Sequence, residues 1–282
     1  MLKHGRNYPL NRREVMYYNV QIGSESELMI LRRMIDKLQV PVSIAVNALS
    51  YGADLYNEIE EIIRKCISMG YESYIVADPG MIDCLSDIEG IKLTVSGELG
   101  EMNAGVLRSV RSRAVKRIIF PRQTTISEMK VLCSTFPDDE NIEYEAFALN
   151  EKCHFTGAYC NSYHCDELCH ICRVPYRLVR YDEEEPETDV ETIAEEYEGV
   201  GMTGCALCHL WKMKQVGVTH LKLVSRGNSS EDTVTDIQAL RRAIDILEEA
   251  ESEAEYVKRL FDEIFPNGCS GNCYAERGSG FF

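Results

Sequence analysis

The sequence lacks any apolar run of the length that a membrane span needs, which is about 18 residues or more. Its opening residues, MLKHGRNYPLNRREV, contain no apolar core of signal-peptide length. We therefore expect a cytoplasmic protein with no membrane span. Because thiols stay reduced in that compartment, clustered cysteines are expected to act as metal ligands and not as disulfides.

Basic residues are also scarce. The chain has 30 Lys and Arg against 46 Asp and Glu, which gives a formal net charge of −16. Such a surface repels phosphate backbones, and non-specific affinity for nucleic acids comes mostly from Lys and Arg. A nucleic-acid partner is therefore not expected. The apolar fraction of 45% is that of an ordinary soluble globular protein.

Familiar hydrolase motifs are absent as well. The sequence has no H-E-x-x-H helix and no serine or cysteine nucleophile with a recognisable base. The residues alone therefore identify no catalytic group.

The chain does contain alternating strand and helix patterns. Predicted strands are Tyr17–Ile22, Pro41–Val46, Ser73–Ala77, Ile91–Ser96, Lys116–Pro121, Tyr144–Leu149 and His220–Val224, with Tyr176–Tyr181 as a candidate eighth. Predicted helices are Glu25–Leu38, Leu55–Met69, Met81–Leu85, Glu101–Val110, Ser127–Thr135 and Ala206–Gln215, with one or two long helices over Thr233–Phe265.

Repeated β-α units imply a parallel sheet with right-handed crossovers. The prediction is an α/β fold of the TIM-barrel-like (βα) type, complete or short by one strand. The barrel is expected over residues 1–265, with a cysteine-rich cluster segment at 150–210 that begins after the sixth predicted strand. Residues 266–282 are expected to form a separate tail that contains cysteines.

Cysteines are unusually dense in the second half of the chain. Five lie close together at Cys153, Cys160, Cys165, Cys169 and Cys172, and a C-x-x-C pair follows at Cys205 and Cys208. Soft thiolates gathered in this way select iron–sulfur clusters or zinc over hard cations.

The spacing of the two C-x-x-C pairs bears on which metal is bound. Cys169/Cys172 and Cys205/Cys208 are separated by 32 residues, which is long for a zinc ribbon. A [4Fe–4S] cluster tolerates irregular spacing better. Cys165 and Cys205 are spare thiols, buried apolar residues, or ligands of a second cluster or zinc ion together with Cys269 and Cys273.

Polar residues follow five predicted strands and form a candidate substrate site. They are Asn47, Asp78, Glu98, Arg122 and Arg226. In a barrel, the residues at the carboxyl ends of strands converge at one mouth. The two arginines suit a carboxylate ligand, because guanidinium binds it with two parallel hydrogen bonds. The alternative is that these residues cap helices or that the arginines pair with Asp78 and Glu98.

Several segments carry a resemblance to a known family. They are VPVSIAVNALSYG, YESYIVADPGMIDCL, LTVSGELGEMNAG, VKRIIFPRQTTISEM, YEAFALNEKCHFTGAYC, CHICRVPY and GCALCHLWKMKQVGVTHLKLVSRG. In this order, over roughly residues 40–245, the chain resembles the collagenase-like peptidase family of the U32 type. The resemblance implies a TIM-barrel-like fold and, as in several branches, one [4Fe–4S] cluster.

The ligands that the resemblance implies are Cys153, Cys160, one of Cys169 or Cys172, and Cys208. Family members often have a His-Gly step before the first of these cysteines, whereas this chain has Leu149-Asn150. The missing histidine removes a candidate proton donor beside the cluster.

The family also implies a class of reaction. Several branches carry out oxygen-independent hydroxylation in anaerobic metabolism, acting on ubiquinone precursors or on RNA bases, with prephenate as the oxygen source. In size this chain is similar to the ubiquinone-type members, which work as a pair of related subunits. We therefore expect a small or lipid-like substrate, prephenate as a candidate ligand and a heteromeric partner from the same family. The alternatives are a collagenase-like protease and a non-catalytic iron–sulfur subunit of a larger complex.

Overall fold

A parallel sheet of six strands lies at the centre of the computed structural model, which describes residues 24–99, 102–137, 139, 141–150, 152, 199–225 and 229–274. The strands are β1 Ile44–Val46, β2 Ser73–Val76, β3 Lys92–Val95, β4 Val115–Ile119, β5 Glu143–Leu149 and β6 His220–Leu223. The helices are α1 Glu25–Leu38, α2 Leu55–Ser68, α3 Pro79–Ser86, α4 Ala104–Val110, α5 Ile126–Cys133, α6 Leu210–Val216, α7 Ser230–Glu249 and α8 Glu253–Glu263. Two 3-10 turns lie at Gly97–Leu99 and Leu207–His209.

The strands pair in sequence order from β1 to β6, and every pair is parallel. This order is the one that successive right-handed β-α units produce in a barrel. The sheet curls into a half-barrel, which is consistent with an incomplete TIM-like barrel. The α/β prediction is confirmed at this level. The predicted strands at 17–22 and 176–181 and the cysteine-rich segment lie outside the described residues.

Helix boundaries differ from the predicted ones where a capping side chain decides them. Asp78 accepts hydrogen bonds from the amides of Gly80 and Met81, so α3 begins at Pro79 and not at Met81. Asn103 caps α4 in the same way, and this helix begins three residues later than predicted. The long C-terminal pattern forms two helices, because Ala250 is extended and the side chain of Ser252 starts α8.

The two faces of the sheet differ in character. Tyr74 and Val76 on β2 are fully buried on the helix-covered face, where the Tyr74 hydroxyl lies 3.4 Å from the carbonyl of Ile63 on α2. The opposite face, called here the inner face, carries the residues in register with Ile75. Among them are Thr94 on β3 and Arg117 on β4. The apolar core therefore lies between sheet and helices, and polar groups point to the inner side.

No helix among the described residues is long and apolar enough to cross a membrane.

Three cysteines in the first half of the chain lie in or beside the helix layer. Cys66 is 2% exposed, and burial raises the pKa of its thiol to about 11. Burial also raises the pKa of the Cys133 thiol to about 12. These two thiols therefore pack as small apolar groups, as expected for cysteines in helices.

We expect iodoacetamide to modify Cys269 far sooner than Cys66 or Cys133 in the native protein. Cys269 is exposed, whereas the other two thiols are shielded and hold few thiolates near neutral pH. Peptide mapping after timed alkylation checks this order, and chemically unfolded protein, in which all three react at similar rates, is the control. Equal rates in the native state would contradict the described packing.

Candidate functional site

The carboxyl ends of the strands lie side by side along one edge. Val46, Val76 and Val95 are paired in register across β1, β2 and β3. Asn47, Asp78 and Ser96 follow these residues within two positions, so their side chains start from the same edge. This edge, together with the chain segments that pack on it, is called the rim below.

Arg122 and Glu98 form a buried ion pair at the rim. Nη1 of Arg122 lies 2.9 Å from Oε1 of Glu98, and the two side chains are 7% and 11% exposed. The guanidinium also stacks on the ring of Phe147, at 4.2 Å from the ring centroid. Cation and carboxylate are thus held together beside an aromatic ring, and the ring adds a cation–π contact to the buried ion pair.

Asp78 has a structural role at the same edge. Besides capping α3, its carboxylate accepts hydrogen bonds from the amide of Tyr51, at 2.9 Å, and from the hydroxyl of Tyr56, at 2.8 Å. Burial raises the pKa of Tyr56 to about 12, so this hydroxyl keeps its proton and donates it. Asp78 therefore caps a helix, and Arg122 pairs with Glu98. These contacts are those of the alternative to substrate binding that the sequence left open.

Asn47 differs from its neighbours at the rim. Its Oδ1 is buried and accepts no hydrogen bond from the described residues. An unpaired buried carbonyl is costly, and a bound ligand that donates a hydrogen bond removes the cost. Of the five predicted substrate residues, Asn47, Asp78, Glu98 and Arg122 are therefore found at one edge, and Arg226 lies outside the described residues.

A second layer of charge lies on the inner face below the Phe147 ring. Glu145 on β5 is 3.1 Å from Nη1 of Arg117 and 3.3 Å from Nζ of Lys222. Nζ of Lys222 is also 5.7 Å from the Phe147 ring centroid. Phe147 therefore contacts two cations, Arg122 and Lys222. This layer was not predicted from the sequence, although glutamates at alternate positions of a buried strand, here Glu143 and Glu145, are a recognisable signal.

Asn150 shapes the chain where it leaves β5. Its φ is +68°, in the left-handed region that non-glycine residues seldom adopt. Its side-chain amide donates to Oδ2 of Asp236 on α7 at 2.5 Å, and both residues are buried, at 3% and 5% exposure. The hydroxyl of Tyr274 donates to the Asn150 carbonyl. Strain held in place by buried partners is common at functional sites.

Backbone hydrogen bonds join the end of β5 to the segment before Cys208. The amide of Asn150 donates to Gly204 at 2.7 Å, and the amide of Lys152 donates to Thr203 at 2.7 Å. Gly204 has a φ of +158°, and a Cβ there would lie 2.8 Å from the Lys152 nitrogen, so only glycine permits this approach. Cys153 follows Lys152 directly in the sequence, and Cys208 follows this pairing on the 3-10 turn.

The C-terminal segment packs on the same place. Cys205 pairs with Leu149 on one side and with Cys273 on the other as isolated bridges. The amide of Cys205 donates to Asn272, and the amide of Tyr274 donates to Cys205, both at 2.8 Å. Burial, followed by smaller contributions from the neighbouring thiols, raises the pKa of Cys205 to about 12. Three distant parts of the chain therefore meet at the rim.

One of the predicted metal ligands, Cys208, lies within the described residues. Cys208 is half-buried on the 3-10 turn, while Cys153, Cys160, Cys169 and Cys172 lie outside the described residues. In the described part of the chain, no three His, Cys, Asp or Glu side chains are grouped as metal ligands. Lys152, which precedes Cys153 in the sequence, is hydrogen-bonded to Thr203, which lies five residues before Cys208. The chain segments that lead to these two cysteines are therefore neighbours, and thiolates are the ligands that an iron–sulfur cluster or zinc would take.

A cavity of about 370 Å³ lies between the end of β5, the segment at 199–203 and the first half of α7. It is lined by Asn150, Gly199, Met202, Thr203, Asp232, Thr235 and Asp236. A larger groove of about 810 Å³ lies at the opposite, amino end of the strands, near Val42 and Ser73. In (βα) barrels the functional groups gather at the carboxyl ends of the strands. We therefore place the candidate site at the smaller cavity and the rim above it.

Comparison with models of protein families assigns the chain to a family. The model of peptidase family U32 matches residues 21–279, which is most of the chain. The chain therefore belongs to peptidase family U32, as the sequence segments predicted.

Other comparisons add little to this assignment. No curated protein matches the chain. One similar solved structure is described as that of the U32 peptidase Mk0906, with 11% sequence identity and a TM-score of 0.38. The match covers 44% of this chain and 52% of that protein, so the chain matches about half of that protein's length.

Proposed function

We propose that this chain is an iron–sulfur protein of the U32 family that takes part in an oxygen-independent hydroxylation of a small or lipid-like substrate. One observation carries the proposal. The hydrogen bonds from Asn150 to Gly204 and from Lys152 to Thr203 hold the chain that leads to Cys153 beside a segment four to five residues before Cys208. The segments that lead to two of the ligands implied by the family pattern are therefore neighbours at the rim.

Cys153, Cys160, one of Cys169 or Cys172, and Cys208 would hold a [4Fe–4S] cluster in this proposal. Such a cluster supplies electron transfer or binds a substrate atom at an iron. A second cluster or a zinc ion on the remaining cysteines belongs to the same proposal. The described residues hold the chain where it leaves β5. Asn150 and Asp236 fix the turn there, and Tyr274 packs the C-terminal segment against it.

The substrate would bind at the rim, next to Asn47, Glu98, Arg122 and Phe147. The Phe147 ring offers an apolar face, and Asn47 offers an unpaired hydrogen-bond acceptor. Arg122 would bind a carboxylate, such as those of prephenate, in competition with Glu98. A second subunit of the same family would contribute the remainder of the site, as in the related heteromeric members.

Anaerobic purification tests the cluster directly. We expect about four iron and four acid-labile sulfide per chain, with a broad absorption band that bleaches on reduction. Cys208→Ala should lower the iron and sulfide content severalfold, because it removes one thiolate. Cys84→Ala is the matched control, since Cys84 lies on α3 and contacts Glu60 at 3.4 Å, and it should leave the content unchanged. Full activity of a metal-free or zinc-only protein would refute the proposal.

Incubation with prephenate tests the reaction class. We expect oxygen from labelled prephenate in a hydroxylated product when the cluster and the partner subunit are present. Absence of transfer with every candidate substrate, in protein that holds the cluster, would refute the hydroxylation but leave the cluster assignment intact.

A second candidate function is proteolysis, which the description of the family supports. It predicts cleavage of denatured collagen or other peptides by the purified chain, and this cleavage should persist after the metal is removed. Peptide cleavage that survives loss of the cluster would favour this function over the first.

A further inference from the structure

Cys205, Cys269 and Cys273 are not among the implied cluster ligands. Cys205 and Cys273 stand directly opposite each other in a parallel bridge. The amide of Cys205 donates to the carbonyl of Asn272, and the amide of Tyr274 donates to the carbonyl of Cys205. These two bonds flank Cys273, so they fix its position along Cys205.

The spacing of such a bridge suits a covalent bond between the two sulfurs. Paired residues of neighbouring strands have Cα atoms about 5 Å apart and side chains on the same side. A disulfide requires a Cα separation of about 4.4–6.8 Å.

The segment that carries Cys273 is held firmly in place. Besides the two backbone bonds, Ser270 donates to the carbonyl of Gly201 at 3.0 Å, and Asn272 donates to that of Met202 at 2.8 Å. Tyr274 is 3% exposed and its ring lies 6.1 Å from that of Phe147. The backbone of Cys273 is therefore fixed beside that of Cys205, and a bond between the two cysteines would form by rotation of their side chains together with a small approach of the two segments.

We propose that Cys205 and Cys273 are a redox-modified pair, which forms a disulfide when the protein meets a low-molecular-weight disulfide such as oxidised glutathione. The bond ties the C-terminal segment to the rim beneath Asn150. It also withdraws two thiols that would otherwise compete for metal. This inference does not depend on the proposed hydroxylation or on the four-cysteine cluster, and it is the alternative to a second cluster or zinc ion held by Cys205 and Cys273.

The reaction proceeds by two exchanges. The thiolate of Cys273, which is half-buried, attacks one sulfur of the oxidant, whose S–S bond breaks and releases one small thiolate. Cys205 then loses its proton and attacks the Cys273 sulfur, which releases the second small thiolate. Two protein thiols lose two electrons and two protons in total, and the oxidant becomes two thiols. Burial of Cys205, which raises its pKa, makes the second exchange the slower one.

The test uses the full chain in glutathione buffers of increasing oxidised fraction, followed by alkylation and peptide mass spectrometry. We expect one linked peptide pair that joins Cys205 to Cys273. The oxidised chain should have a melting temperature higher by roughly 5 °C, because the link closes a long loop. Cys273→Ser should lose both the linked pair and the rise in melting temperature. Cys269→Ser, the matched change at the exposed cysteine of the same segment, should keep both.

Three results would overturn the inference. They are a link between Cys269 and Cys273 in place of the predicted one, the absence of any link to Cys205, and shielding of Cys205 and Cys273 in the reduced chain by a bound metal ion. Iron and sulfide are measured on the same samples. Failure of the iron–sulfur proposal is therefore seen separately from failure of this one.

Discussion

Arg122→Ala is expected to lower the free energy of unfolding by about 3–5 kcal/mol. The substitution leaves the carboxylate of Glu98 buried without the cation that compensates it, and it also removes the contact with the Phe147 ring. Chemical denaturation at neutral pH measures the change. Arg64→Ala is the matched control, because Arg64 pairs with Glu60 on the exposed face of α2, and such pairs contribute about 0.5 kcal/mol or less.

A double variant separates loss of the pair from loss of one partner. Glu98→Leu with Arg122→Met removes both charges, and replacement of a buried ion pair by apolar groups is often neutral. We expect this variant to recover most of the stability that Arg122→Ala loses, while any carboxylate-dependent binding at the rim stays lost. A double variant as unstable as the single one would contradict the account of the pair.

Asp236→Ala is expected to cost about 2–3 kcal/mol, because the buried amide of Asn150 loses its acceptor. The turn at Asn150 is then free to relax from its left-handed backbone conformation. On the proposed function, iron and sulfide per folded chain should also fall, since this turn leads to Cys153. Thermal unfolding and metal analysis of the same preparation measure the two effects.

Asp245→Ala on the same helix is the control for this change, because Asp245 is exposed. It should leave both stability and metal content close to the starting values. Conversely, Asp236→Asn can still offer an oxygen to Asn150 and should recover part of the stability. Equal losses for Asp236→Ala and Asp245→Ala would show that the Asn150 contact is unimportant.

The sheet was largely predictable from the sequence because local patterns decide it. Runs such as SYIVA and RIIFP are apolar on both faces and are bounded by turn residues, so strands β2 and β4 were expected close to their observed bounds. The helix starts were less predictable. Capping by Asp78 and Asn103 fixed them, and a hydrophobic pattern does not contain this information.

The candidate site was only partly predictable. Polar residues after strands indicated Asn47, Asp78, Glu98 and Arg122, because parallel strands end at one edge. The sequence offered pairing of the arginines with Asp78 and Glu98 as an alternative to substrate binding. It could not decide between the two, since the ion pair between Glu98 and Arg122 depends on side-chain packing across β3 and β4. Asp236 was missed because it lies far along the chain from Asn150.

Asn150 itself had a signal in the sequence. It stands where members of the family often have the glycine of a His-Gly step, and the structure gives it a φ of +68°. Glycine adopts this conformation freely, and asparagine is one of the few other residues that tolerate it. Asparagine at this position is therefore compatible with the backbone turn that the structure shows, and the chain has Leu149 where the family pattern often has a histidine.

Leu149, Cys205 and Cys273 lie far apart in the chain but pair with one another in the structure, so their contacts form at different times during synthesis. Chains fold from the amino terminus as they leave the ribosome, and contacts between distant residues form late. Tyr274, whose hydroxyl donates to the Asn150 carbonyl, follows all six strands in the chain and therefore emerges after them. The strands are thus free to assemble during translation before the contacts of Tyr274 and Cys273 with Asn150 and Cys205 can form. A metal centre beside Cys205 would be enclosed by these contacts only after that later segment has been made.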